Sequence, residues 1–96
     1  MLVLITYDVN TTTSEGKKRL NKVAKHCVNY GQRVQDSVFE CMLDYGQYLL
    51  FKNKLLTLID KKTDSIRIYQ LGNKWESKVE HYGKTLEISQ NDVLIL

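Results

Sequence analysis

The run from Leu2 to Tyr7, LVLITY, is apolar, β-branched or aromatic at consecutive positions. A strand that alternates apolar and polar residues needs cover on one face only, whereas a continuous apolar strand needs it on both. The chain must therefore lay helices on one face of a sheet containing this strand and find a second cover for the other. With 96 residues it folds as one domain. A chain of that size buries only roughly 60–65% of its unfolded surface. So little material leaves one face of a small sheet bare, and a second copy of the same chain is the simplest cover.

The residues after this strand set the order of elements. NTTTSEG (10–16) reads as a turn that opens a helix, with Thr12 and Glu15 at capping-box spacing. Leu20, Val23, Ala24, Cys27 and Val28 then recur as one helical stripe, and Gly31 is the expected left-handed stop. QRVQDSVFECMLD (32–44) reads as extended, and Asp36-Ser37 predicts either a tight turn between two strands or a bend in one. YGQYLLFKNKLLTLIDKK (45–62) predicts a second helix with Tyr48, Phe51, Leu55, Leu58 and Ile59 on one side. DSIRIYQLG (64–72) predicts a strand ended by Gly72, and KVEHYG (78–83) and DVLIL (92–96) are shorter strand candidates. This order is that of an α+β, ferredoxin-like βαββαβ sandwich over residues 1–96, with 84–96 a β tail. The apolar NDVLIL end predicts that the tail pairs with a partner protomer's sheet, since each buried side chain contributes on the order of 1.5–3 kcal/mol.

Composition narrows the class. The longest apolar run, MLVLI, spans five residues, and YLLF and VLIL span four, against about 20 for a membrane helix. The first residues lead straight into strand-like sequence, without the pattern of a secretory signal, so a cytoplasmic protein is expected. Cys27 and Cys41 lack metal or redox spacing and read as buried free thiols. The net charge of +3 is modest, but its distribution is uneven. Lys17, Lys18, Arg19, Lys22 and Lys25 follow one another with no acid among them, which predicts a surface for phosphates or simply a solvated helix face.

Asp8 ends the first strand, beside this basic helix. It either starts the turn, as aspartate commonly does, or serves as a hard oxygen ligand for Mg²⁺, with Mn²⁺ as a substitute. One carboxylate per chain is too few for a two-metal nuclease within one subunit. Two chains meeting through this sheet would bring two Asp8 side chains to one ion, a sufficient set when waters and a substrate phosphate complete the shell.

The motifs YDV at the end of the first strand, the basic first helix, R-x-Q-x-S-V-F-E at Arg33–Glu40 and DSIRIY together resemble the Cas-two family of CRISPR adaptation. The resemblance covers Leu2 to about Gly83, and VNYGQRVQDSVFECMLD and HYG are most similar to the branch associated with type I-C systems. It implies a ferredoxin-like homodimer with a metal between the two first-strand aspartates, and endonuclease activity on double-stranded DNA, RNA or both. It also implies a place in the spacer-acquisition complex with the Cas-one integrase, in antiviral defence. By motif, Asp8 is the catalytic, metal-binding acid and Tyr7 its neighbour, with Ser37 and Phe39 beside the site. Lys17, Lys18, Arg19, Lys22 and Arg33 are the nucleic-acid-binding residues expected. Two rival readings share the fold: a non-catalytic DNA-binding dimeric scaffold of spacer integration, and a ribonuclease toxin.

Plainer roles stand beside these. Arg33 suits either a neighbouring acid such as Asp36 or a phosphate. Phe39 reads as core rather than a stacking platform, and Ser37 as a turn hydroxyl, since no base is placed to activate it. His26 is expected on the polar side of the first helix, His81 packed in a strand, and Trp75 as an anchor for the tail.

Overall fold

A computed structural model describes residues 1–84. The elements are β1 (Leu2–Asp8), α1 (Ser14–Tyr30), β2 (Gln32–Gln35), β3 (Val38–Met42), α2 (Tyr45–Thr57) and β4 (Ser65–Gly72). The four strands form one antiparallel sheet in the order β2-β3-β1-β4, which is the expected ferredoxin-like arrangement. Asp36-Ser37 is the tight turn between two strands, not a bend in one. The candidate strand at 78–83 is irregular: Trp75–Lys78 closes a turn instead. The 92–96 tail strand lies outside the described residues.

Alternation along β1 sorts its side chains. Val3, Ile5 and Tyr7 point into the core with Val23 and Cys27 of α1, Phe39 and Cys41 of β3, and Phe51 and Leu55 of α2. Both helices therefore cover one face of the sheet. On the other face Leu4 and Thr6 are only half-buried, and Tyr69, across from Leu4, is exposed. Among the described residues, the strand read as needing cover on both sides thus receives it on one. Among the described residues no helix is long and apolar enough to cross a membrane.

Two local expectations are corrected. The cap of α1 is Thr13, whose hydroxyl accepts from Gly16 N at 3.0 Å, while Thr12 bonds back to Asn10. The capping box forms at α2, where Asp44 accepts from Gln47 N at 2.8 Å and Gln47 Oε1 accepts from Asp44 N at 2.9 Å. Gly31 is not left-handed: its φ of −159° is ordinary extended backbone. Space explains the glycine, because a Cβ there would collide with the Glu40 carbonyl oxygen and lie 2.5 Å from Cys41 Sγ. Gly31→Ala is accordingly expected to cost about 1–3 kcal/mol by pushing α1 away from β3, read as a lower denaturation midpoint at unchanged denaturant slope.

Candidate functional site at the end of the first strand

Asp8 is exposed at the last position of β1, opposite Ser65 in the β1–β4 ladder. It shares a face with Leu4 and Thr6, the face that the helices leave open. Across the ladder, Arg67 stands opposite Thr6, so one carboxylate and one guanidinium flank the same strand pair. A depression of about 310 Å³ is lined by Thr6, Asp8, Ser65, Arg67 and Tyr69 among others. Arg67 turns towards Tyr69, donating from NH1 to its hydroxyl at 3.4 Å, and Asp8 forms no ion pair among the described residues. Both charges are thus open to a ligand. Arg67 escaped the sequence reading because its place beside Asp8 depends on the pairing of strands far apart in the chain.

A metal ion can be tested against these donors. Asp8 carboxylate, Thr6 hydroxyl and Ser65 hydroxyl are hard oxygens suited to Mg²⁺ or Mn²⁺. Among the described residues no three His, Cys, Asp or Glu side chains gather as a ligand set. One exposed carboxylate beside two hydroxyls is a donor set that such a cation accepts when waters complete its shell.

The other motif residues lie on the opposite side of the sheet. Tyr7 is buried against Phe39, ring centroids 6.1 Å apart. Its hydroxyl donates to the Asp36 carbonyl at 3.4 Å, and its amide donates to the Ser37 carbonyl at 3.1 Å. Burial chiefly pushes the Tyr7 phenol up, partly opposed by Arg33. Phe39 is fully buried core. Arg33 lies 4.9 Å above the Phe39 ring and donates to the Asp36 carbonyl at 2.6 Å. It therefore holds the β2–β3 turn through backbone, not through the Asp36 carboxylate. Ser37 is half-buried in the same turn.

On α1, Lys17, Lys18, Lys22 and Lys25 are exposed, whereas Arg19 is tied down. Its Nε lies 2.8 Å from Asp64 Oδ2. The Asp64 carboxylate, with its side chain fully buried, also accepts from Asn10 N at 3.0 Å and Asp60 N at 2.9 Å. The Arg19 guanidinium, supported by these amides against the cost of burial, holds the Asp64 carboxyl well below the usual carboxylate range. His26 is not on the polar side: it stacks on Phe51 at 5.0 Å, and its Nε2 lies 3.0 Å from the Phe51 carbonyl, joining α1 to α2. His81 is exposed and outside any strand, and neither histidine lines the Asp8 depression. Trp75 is half-buried beside Leu2, Val28 and Met42.

Cys27 and Cys41 are buried free thiols. Burial pushes both up to about 12, with the Cys41 and Glu40 charges adding to Cys27 and Cys41 respectively. Thiolate is the reactive form. The native protein is therefore expected to react negligibly with a thiol reagent at neutral pH and to release both equivalents in denaturant.

Comparison with known proteins bears on the fold and the family. The family model for CRISPR associated protein Cas2 matches residues 1–79. The CRISPR-associated endonuclease Cas2 of Halalkalibacterium halodurans is 58% identical over 95 residues, 99% of each chain. The CRISPR-associated endoribonuclease Cas2 of Chlorobaculum tepidum is 57% identical over 83 residues, 86% of each. The crystal structure of Streptococcus pyogenes Cas2 at pH 6.5 superposes with a TM-score of 0.74 and 57% identity, over 86% of this chain and all of that one. Matched by the family model over residues 1–79 and by a relative along nearly its full length, this chain belongs to the Cas2 family of CRISPR-associated proteins.

Proposed function

We propose that this chain is a metal-dependent phosphodiesterase that acts as a homodimer in the cytoplasm, with one Mg²⁺ held between the Asp8 carboxylates of two protomers. The observation that carries the reading is Asp8 itself: among the described residues it is exposed, unpaired and on the face that α1 and α2 do not cover. Thr6 and Ser65 supply hydroxyls beside it, and Arg67 supplies a positive group for a phosphate oxygen. When bound, the ion supplies charge neutralisation at the phosphate and a nucleophilic water near neutral pH. The lysines of α1 hold the backbone of duplex DNA or RNA, giving affinity without sequence preference. Relatives named as endonuclease and as endoribonuclease are 58% and 57% identical to this chain; the second name supports RNA as a substrate, and the first leaves the polymer open. The same reading places the protein with the Cas-one integrase in spacer acquisition, and in the type I-C branch on the strength of VNYGQRVQDSVFECMLD and HYG.

Mixing subunits tests the shared ion. Wild type and Asp8→Asn protein, combined and allowed to exchange, are expected to lose Mg²⁺-dependent cleavage in proportion to the square of the wild-type fraction. A linear decline means that each protomer works alone, and the paired site is wrong. The scaffold reading draws on a different observation, the single carboxylate per chain at this site among the described residues. It gains if Asp8→Asn keeps full spacer integration with the integrase.

A further inference from the structure

The turn before β4 carries two lysines that lie outside the family motifs. Asp60 and Asp64 close it through backbone: Thr63 N and Asp64 N donate to the Asp60 carbonyl at 3.0 and 2.8 Å, and Lys62 N donates to Asp60 Oδ1 at 3.0 Å. Asp64 then locks the turn to its surroundings, to Asn10 in the β1–α1 loop and to Arg19 on α1. Arg19 NH2 also reaches Thr63 Oγ1 at 3.4 Å. The side chains left at the tip are Lys61 and Lys62, both exposed and neither ion-paired among the described residues.

The turn meets α1 through Arg19; Lys22, three residues on, neighbours Arg19 on the helix surface, and Lys18 stands one turn before Lys22. Ser65, the first residue of β4, faces Asp8 across the ladder. The acids nearby are engaged: Asp64 with Arg19, Asp60 with the Lys62 amide, and Glu15 with the Ser14 hydroxyl at 2.9 Å. Exposed lysines therefore stand on both sides of the Arg19–Asp64 pair, Lys18 and Lys22 on α1 and Lys61 and Lys62 on a turn already ordered by its own hydrogen bonds. Such a loop loses little conformational freedom when a ligand binds.

We infer that the Asp60–Asp64 turn is a second phosphate-contacting element, in which Lys61 and Lys62 extend the basic face of α1 along the backbone of a double-stranded nucleic acid. Arg19 is its positioning residue: it fixes the turn through Asp64 and leaves phosphate contact to the lysines. The inference rests on the duplex-binding reading above and adds the residues that guide the strand towards Asp8.

Salt dependence of binding to a short duplex, measured on the full chain with chelator present to stop cleavage, tests it. Lys61→Gln/Lys62→Gln is compared with Lys17→Gln/Lys18→Gln and wild type. For the turn variant, the log–log slope against salt should become shallower by about 0.9 for each phosphate no longer neutralised, with affinity roughly ten-fold weaker or more at about 50 mM salt. Its melting temperature should match wild type, because no lysine side chain takes part in the bonds that close the turn. Arg19→Gln should lower the melting temperature, separating positioning from contact. A turn variant with wild-type slope and affinity, alongside a weakened helix variant, overturns the inference and leaves the duplex reading intact. A wild-type protein that binds no duplex overturns both.

Discussion

Asp8→Asn should lower Mg²⁺-dependent cleavage of RNA or duplex DNA by at least about 10²-fold, since a bound cation is worth several kcal/mol of charge stabilisation at the phosphate. Asparagine keeps the size of the side chain and one acceptor oxygen but removes the charge that holds a hard cation. Duplex affinity should stay within about two-fold, because the proposed phosphate contacts come from lysines rather than from this acid. The fold should also survive, since Asp8 is exposed and its carboxylate forms no ion pair among the described residues. Matched preparations are essential, as a trace contaminating nuclease would cleave equally in both. If the variant cleaves like wild type under identical Mg²⁺, Asp8 is not the metal acid and the proposed chemistry fails.

The largest stability effect is expected at a residue with no proposed contact to substrate. Asp64→Ala strands the Asn10 and Asp60 amides and leaves the Arg19 guanidinium without its partner. Breaking a buried ion pair from one side costs about 3–5 kcal/mol. Arg19 remains partly in water, with 23% of its side chain exposed, so about 2–4 kcal/mol is the better expectation. For a domain of this size that is a melting temperature lower by roughly 10–25 °C. Asp64→Asn, which keeps an acceptor for one amide, should lose less.

The same group gives a pH signature. Its carboxyl is held below the range it has in the unfolded chain, about 3.9. The unfolded state therefore takes up the proton first on acidification. The stabilisation is complete above about pH 5 and declines as pH falls through 4 towards the lower folded value. Chemical denaturation between neutral pH and about pH 3 should show this loss in wild type and a flatter limb in Asp64→Asn. Equal slopes in the two proteins would mean that Asp64 is not the group responsible.

The order of elements and the place of Asp8 at the end of a strand follow from residue order alone. Strand and helix patterns are local, repeating every two or every 3.6 residues, so LVLITY, the α1 stripe and DSIRIY are readable without knowing their neighbours. Motif likeness likewise needs only the order of residues, and it reaches the right family. Which distant side chains meet is settled later, by packing. Arg19 and Asp64 are 45 residues apart, and nothing in the lysine-rich run distinguishes the one cation that turns inward. His26 is polar by type, yet the approach of α2 places a ring and a carbonyl against it. Gly31 has the position of a left-handed cap, but its constraint is the backbone of β3 behind it. Arg33 sits on the core face with Phe39 because the β2–β3 register sets which way each side chain points. Local pattern fixes the elements, while burial, pairing and the roles that depend on them come from contacts that exist only after the elements have packed.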